Sequence, residues 1–507
     1  MKRFTNILLT LGLILPMLVF STITKAQKQV DDLQKGQDTI KEHVATLGDK
    51  IGGVEERLAT AEADVAKLTK IKISGYVQAQ WQHYEQSSVY PNNLFSVRRA
   101  RFKLQYEPAQ GVVFVLQPDF QPGNFVVKEA YTKLNEPWLK TFSLWVGKFN
   151  RPNYEVEYSS SDLEALERSR VITTLYPGEY AIGAKLEVAP PKLPLKFQLA
   201  VLNGNDGLVI NDASGTNLNA TDNKEFDNFK DLMARLTYSF KLGKWGGLTV
   251  GAHGYYGFLK ATTDTLIKSD YTKDKTVKVG SALNRNWFGV EAQFYADVLG
   301  GLIIKGEYIS GMNAFPGFKG SPTTVSTVAN SFNKTNDTLT TTYTNTTTTA
   351  IRPNMNRNFA GYYVYLIKNI GKRNQFTIRY DSYDPNTKLA GTDLGVIGYK
   401  GSPADGKTTT TVGKGTTHIT SVVNKTVVSN NYMSSATDLA YSQISLCWTY
   451  YFDDNIKISL DYDIPMNEKT TAGKVTSTYS VNNVSGAYDY SNLIKQNVLT
   501  LRLQAKF

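Results

Sequence analysis

The 507-residue chain has a single cysteine, Cys447, and only four histidines, His43, His83, His253 and His418. A lone thiol excludes an intrachain disulfide framework and any multi-cysteine zinc or iron–sulfur site. The histidines are far apart and share no ligand-like spacing, so no metal centre and no cofactor are expected. Charge is sparse as well: Asp, Glu, Lys and Arg make up 20% of the residues, against 41% hydrophobic, which excludes a mostly disordered chain. No nucleophile, base and orienting group stand at readable spacing, so no catalytic residue is assigned and an enzyme is not expected. The formal charge of +11 is spread along the chain rather than gathered on a helix or compact patch, so no nucleic-acid partner is expected.

Aromatics are plentiful, at 12%, and there are 39 glycines. That balance suits an all-β protein. Lys2 and Arg3 precede a 14-residue, mostly apolar run from Ile7 to Phe20, and Thr24-Lys25-Ala26 offers small residues at the −3 and −1 positions before Gln27. Residues 1–26 therefore read as a secretory signal peptide. The run is short of the roughly 20 apolar residues a spanning helix needs, and no later stretch reaches that length. Removing Lys2, Arg3 and Lys25 lowers the formal charge from +11 to +8.

Residues 27–70 carry a heptad pattern. Val30, Leu33, Ile40, Val44, Leu47, Ile51, Val54, Leu58, Ala61, Val65 and Leu68 step by three and four, with Gln37 at the one polar core position. Such a narrow seam predicts a coiled coil with a partner helix. An amphipathic helix packed on the chain's own domain is the alternative. Gly36, Gly48, Gly52 and Gly53 each cost roughly 1 kcal/mol relative to Ala, so a lone helix here would be marginal.

From Ile71 the period changes to two. Ala100, Phe102, Leu104 and Tyr106 alternate with Arg99, Arg101, Lys103 and Gln105; Ile444, Leu446, Trp448 and Tyr450 alternate with Gln443, Ser445, Cys447 and Thr449. Strands of about ten residues with one apolar and one wet face are the signature of a transmembrane β-barrel. Sixteen are expected, over 71–83, 95–106, 111–121, 125–135, 140–149, 179–189, 193–203, 230–241, 246–257, 285–297, 300–311, 357–367, 374–384, 439–452, 455–464 and 495–507. The even-numbered connections are short and the odd-numbered ones long, except 122–124, as a barrel with short periplasmic turns requires. Both termini then fall on the periplasmic side. In the longest connections, 312–356 and 385–438, Thr340 to Thr349 is all Thr apart from Tyr343 and Asn345, and 401–438 is rich in Thr, Gly, Ser and Val, so these read as flexible polar surface loops.

The last strand ends on Phe507, and a carboxy-terminal Phe closing an apolar stripe resembles the assembly signal of Gram-negative outer-membrane proteins. Four further stretches carry a family resemblance. They are Arg98-Arg99-Ala100-Arg101; Val146-Gly147-Lys148-Phe149-Asn150-Arg151-Pro152 leading into Leu166-Glu167-Arg168-Ser169; Leu202-Asn203-Gly204; and Arg379-Tyr380-Asp381 with Asp384-Pro385. With these, the chain resembles the phosphate-selective porin O and P family. The resemblance implies an outer-membrane, trimeric, sixteen-stranded anion channel whose partners are lipid and small anionic solutes. The coiled coil, outside that resemblance, is expected in the periplasm.

Selectivity in such a pore comes from charges facing the lumen. The alternation turns Lys72, Arg99, Arg101, Lys103, Arg235 and Arg379 inward, within a wall count of thirteen basic residues to seven acidic. Arg99, Arg101 and Lys103 follow one another at about 6.6–7 Å, a row along which an anion could step. The alternative is that they merely solvate a wet wall. The 150–178 connection is a candidate constriction loop, with Arg151, Arg168 and Arg170 against Glu155, Glu157, Asp162, Glu164 and Glu167. Its acid excess opposes simple anion selectivity; the alternative is an outer-surface loop. A passive anion channel is one expectation. A structural anchor, joining membrane to cell wall through the coiled coil, is the other.

Overall fold

A computed structural model of the chain describes residues 57, 58, 60, 62, 70–85, 92–121, 124–152, 156–176, 179–204, 209–211, 217–219, 227–297, 301–319, 323–333, 338–400, 408–414, 418–429, 432–471, 476–481, 484–489 and 497–507. The expected leader 1–26 and nearly all of the heptad segment 27–70 lie outside the described residues.

Sixteen antiparallel strands close into one barrel. The first eight are β1 (Ile71–Tyr84), β2 (Asn93–Ala109), β3 (Val112–Gln121), β4 (Asn124–Asn135), β5 (Phe142–Asn150), β6 (Tyr180–Val188), β7 (Leu195–Leu202) and β8 (Asp231–Lys241). The second eight are β9 (Gly247–Lys260), β10 (Ala282–Ala296), β11 (Leu302–Phe315), β12 (Asn354–Ile370), β13 (Asn374–Asp384), β14 (Tyr441–Tyr451), β15 (Ile456–Pro465) and β16 (Val498–Lys506). Each expected strand is present within a few residues. The barrel closes where β1 pairs β16, from Tyr76–Lys506 to Tyr84–Val498. Closure removes every sheet edge, which a spanning sheet requires because lipid offers no hydrogen-bond partners.

The two faces follow the alternation. On β13, Phe376 and Ile378 are exposed while Thr377, Arg379 and Asp381 are buried; on β16, Leu501 and Leu503 are exposed while Thr500, Arg502 and Gln504 are buried. An inside-out pattern of this kind is stable only with lipid against the outer face. At the closure, the Gly75 and Phe507 backbones exchange two hydrogen bonds of 3.0 Å. A Cβ on Gly75 would sit 2.5 Å from the Phe507 ring, so this position requires a residue without a side chain.

One irregularity matters for the lumen. Between β3 and β4 the register slips, Gln117 facing Glu129 and Pro118 facing Val127, so that Lys128 is an extra residue on β4. Proline cannot donate to the ladder and is accommodated at such a bulge. Asp119 and Glu129 are both buried on the lumen side, Asp119 in step with Val115 and Glu129 in step with Tyr131.

The long connections are not plain polar loops, contrary to the expectation from their composition. Thr338–Arg352 pairs with Thr323–Asn333 and His418–Ser429, and the latter with Thr408–Lys414, in a second sheet built from two different connections. Threonine is β-branched, and a Thr-rich run pairs well once a partner strand is beside it. Elsewhere in these connections Ile267, Tyr271, Leu389, Leu394 and Leu439 form a packed cluster with Met355. The buried Asn354 amide donates to the carbonyls of Thr263 (2.7 Å) and Thr265 (3.0 Å), and its oxygen accepts from Gly317 N–H (2.8 Å), tying these segments together.

Candidate functional site

The connection after β5 turns into the barrel. Its residues reach the wall on many sides: Gln78 of β1 donates to Ser160 O (3.2 Å), Gln504 of β16 to Ser161 O (3.0 Å), and Lys305 of β11 to Val156 O (2.9 Å). Leu166 N–H donates to Asp461 of β15 at 3.0 Å. All four wall side chains belong to the inward sets of their strands, so the segment crosses the lumen.

A short helix, α1 (Arg170–Leu175), ends this crossing. Its first turn is held by Glu157, whose carboxylate accepts from Ser169 N–H (3.0 and 3.1 Å), Ser169 Oγ (2.9 Å) and Tyr365 OH. Val171, Ile172, Leu175 and Tyr176 are buried against Tyr255, Trp287, Phe359, Tyr363, Tyr365 and Tyr383. Trp287 Nε1 donates to Tyr176 OH at 2.7 Å. An apolar core thus fills part of the lumen on the β9–β13 side.

On the polar side, Glu167 is the centre. Arg98 grips its carboxylate with two bonds of 2.8 Å, Arg502 approaches at 2.6 Å and Arg99 at 3.4 Å. Arg379 also donates to the Glu167 carbonyl. Burial raises the Glu167 carboxyl, but Arg99, Arg98 and Arg502 outweigh it and hold the group well below the usual carboxylate range. Three guanidiniums meet one carboxylate. The planar fork of Arg suits bidentate binding of an oxyanion.

The expected basic row on β2 is present but not free. Arg99 pairs with Glu167, Arg101 with Asp119 at 3.0 Å, and Lys103 with Glu129 at 2.7 Å. Arg101 and Arg168 also share Glu179, at 3.8 and 2.6 Å. Burial raises the Glu179 carboxyl, yet Arg168, Arg101 and Arg99 bring it below its ordinary value. Arg235 pairs with Glu291, and Arg379 with Asp381 (3.2 Å) and Glu157 (3.8 Å). Lys72 stands apart, exposed at the start of β1 before the β16 pairing begins.

In the loop, Glu164 pairs with Lys305 at 2.7 Å and Asp162 with Lys506. Arg151 lies 5.9 Å from the Tyr176 ring and Arg170 5.2 Å from the Tyr441 ring. Glu155 lies outside the described residues. The acid excess of the loop therefore neutralises wall cations. Asp119, Glu129, Glu179 and Arg285 are lumen charges that strand alternation overlooks. The first two lie on β3 and β4, whose two faces differ less in polarity, and the last two sit near strand ends, where facing is ambiguous. Arg98 is the other omission, since its neighbours Arg99 and Arg101 alone fit the strict alternation.

Next to this network is a cavity of about 290 Å³ lined by Arg101, Lys103, Lys506 and Glu129 and by Ser159, Ser160 and Ser161. Cations and hydroxyl donors together suit a small oxyanion. Cys447 is a buried lumen residue whose Sγ is 3.8 Å from Thr449 Oγ1. Among the described residues no group of three or more His, Cys, Asp or Glu is placed to hold a metal ion.

A closed sixteen-stranded barrel with a lipid-facing apolar band, an inward charged wall and an internal loop is an outer-membrane porin fold. Residues 71–285 match the model of the family phosphate-selective porin O and P. The Arg98–Arg101, Val146–Pro152, Leu166–Ser169 and Leu202–Gly204 motifs lie inside that stretch. Solved structures similar to the chain include an anion-selective porin from Comamonas acidovorans (10% identity, TM-score 0.46, covering 86% of this chain and 99% of that one). Others are the outer-membrane protein OmpT of Vibrio cholerae (9%, 0.42, 86% and 97%) and Salmonella typhi OmpF in complex with daunomycin (12%, 0.43, 86% and 97%). No curated protein matches the chain.

Proposed function

We propose that the protein is a passive diffusion channel for small anions, phosphate among them, in the bacterial outer membrane. The observation that carries this reading is the cluster of Arg98, Arg99 and Arg502 around the single carboxylate of Glu167, beside the lumen-crossing loop. A fixed excess of positive charge in a narrow lumen lowers the barrier for anions and raises it for cations. Arg101, Lys103 and Lys506, with Ser159–Ser161, supply a second group of donors along the same side. Residues 1–26 are then a leader, 27–70 a periplasmic coiled coil and 71–507 the barrel. The heptad seam and the family resemblance support a homotrimer.

The test is single-channel recording in a planar bilayer under a potassium chloride gradient, then with added phosphate. Anion-selective reversal and a chloride current reduced by phosphate are expected; cation selectivity would overturn the reading. One observation favours the second reading, a structural anchor: the apolar core between α1 and β9–β13 occupies part of the lumen. Absence of any conductance, together with cell-wall binding by the intact protein, would move the function there.

A further inference from the structure

The lumen carries another cavity, on the side of the long connections, which neither the loop nor the Glu167 cluster uses. Its volume is about 250 Å³, under the roughly 300 Å³ at which drug-sized sites begin. Arg285, Arg352 and Arg357 line it together with Phe315, Phe318 and Met355, and Arg357 lies 4.5 Å from the Phe315 ring. Arg285 and Arg357 are 2% and 3% exposed.

The three guanidiniums differ in what they already hold. Arg357 pairs with Asp438 at 2.9 Å and donates to Tyr432 OH (3.1 Å) and Thr437 Oγ1 (3.2 Å). Arg285 donates to Asn313 Oδ1 and the Gly204 carbonyl, both at 3.1 Å, and lies over the Trp287 ring at 5.3 Å. Arg352 lies over the Tyr432 ring at 5.0 Å. Among the described residues no carboxylate comes within ion-pair distance of Arg285 or Arg352. Of the three guanidiniums lining the chamber, only Arg357 has a carboxylate within ion-pair distance, and apolar side chains stand beside them.

We propose that this chamber binds a small organic carboxylate with a compact apolar body, of the benzoate type, as an entry site ahead of the internal loop. The carboxylate would meet Arg285 and Arg352, and the ring would lie against Phe315, Phe318 and Met355. Inorganic phosphate fits less well, since the apolar wall removes its water and returns no hydrogen bond. The role as an entry site rests on the channel reading; binding itself does not.

The test is equilibrium dialysis of the full-length protein in detergent against radiolabelled benzoate, paired with bilayer recording. One saturable site per chain is expected, with acetate and phosphate competing only at concentrations at least tenfold higher. Arg285→Gln should weaken benzoate at least tenfold. Arg352→Gln, a change at an exposed side chain that spares the fold, should weaken it severalfold. Absence of saturable binding, equal competition by acetate and phosphate, or unaltered binding in Arg352→Gln would overturn the chamber, whatever the conductance. Benzoate binding without an anion current would support the chamber as a binding site and overturn the channel reading instead.

Discussion

Glu167 and Arg502 are separated by 335 residues in sequence, and their side chains meet at 2.6 Å inside the barrel. One belongs to the loop that crosses the lumen, the other to the last strand. The contact links the closure of the barrel to the position of the loop. It also places a carboxylate inside the barrel among three guanidiniums. The Glu167 side chain is half-buried, at 38% exposure.

Glu167→Gln keeps the side-chain shape and removes the charge that offsets Arg98, Arg99 and Arg502. The anion-to-cation permeability ratio should rise, on the order of twofold or more, because lumen charges tune selectivity directly. The reversal potential in a salt gradient measures it. An unchanged or lowered ratio would show that permeating ions do not pass this cluster.

Ile172 is 1% exposed and lies in the core between α1 and the barrel wall. Ile172→Ala should cost about 2–4 kcal/mol of local stability, since a buried aliphatic side chain is replaced by a void. The barrel, held by its own ladder, should stay closed while α1 loosens. Noisier single-channel current with unchanged heat-modifiable migration on gels is the expected result. Loss of the folded band would mean that α1 is required for the barrel itself.

The pH dependence follows from the loop acids. Glu167 and Glu179 are held below their ordinary carboxylate values by neighbouring arginines, and Asp162 is also lowered, with Lys506 as its partner. A depressed acid contributes stability that is full above its unfolded value, about 4, and that disappears as pH falls through the lower folded value. Protease resistance of the 150–178 loop should therefore be unchanged from pH 7 to about 5, and should fall only in stronger acid. Release of the loop above pH 5 would contradict the paired state.

Gly75→Val places a branched side chain against the Phe507 ring and the Arg101 carbonyl, each 2.5 Å from the new Cβ. The seam must shift, at a cost of roughly 1–3 kcal/mol. A lowered urea midpoint and slower insertion into vesicles are expected. Phe507→Ala in the same background should restore part of the loss, because it removes one of the two clashes.

The sequence by itself determined the barrel. Period-two alternation needs only neighbouring residues, and so do the turn lengths, and these sufficed for sixteen strands and for which way Arg99, Arg379 and Arg502 face. The matched family was legible from the same local motifs. Tertiary structure alone decided what the inward charges do. Ion pairs such as Lys305–Glu164 and Arg502–Glu167 join residues with no sequence relation, so no pattern of spacing could show that the loop neutralises the wall. Asp119 and Glu129 lie on strands whose inward faces also carry Val115 and Tyr131, and only their pairing with Arg101 and Lys103 shows what these acids do. The Thr-rich connections became sheet because two distant runs met, and a strand's partner is a property of the fold rather than of the strand.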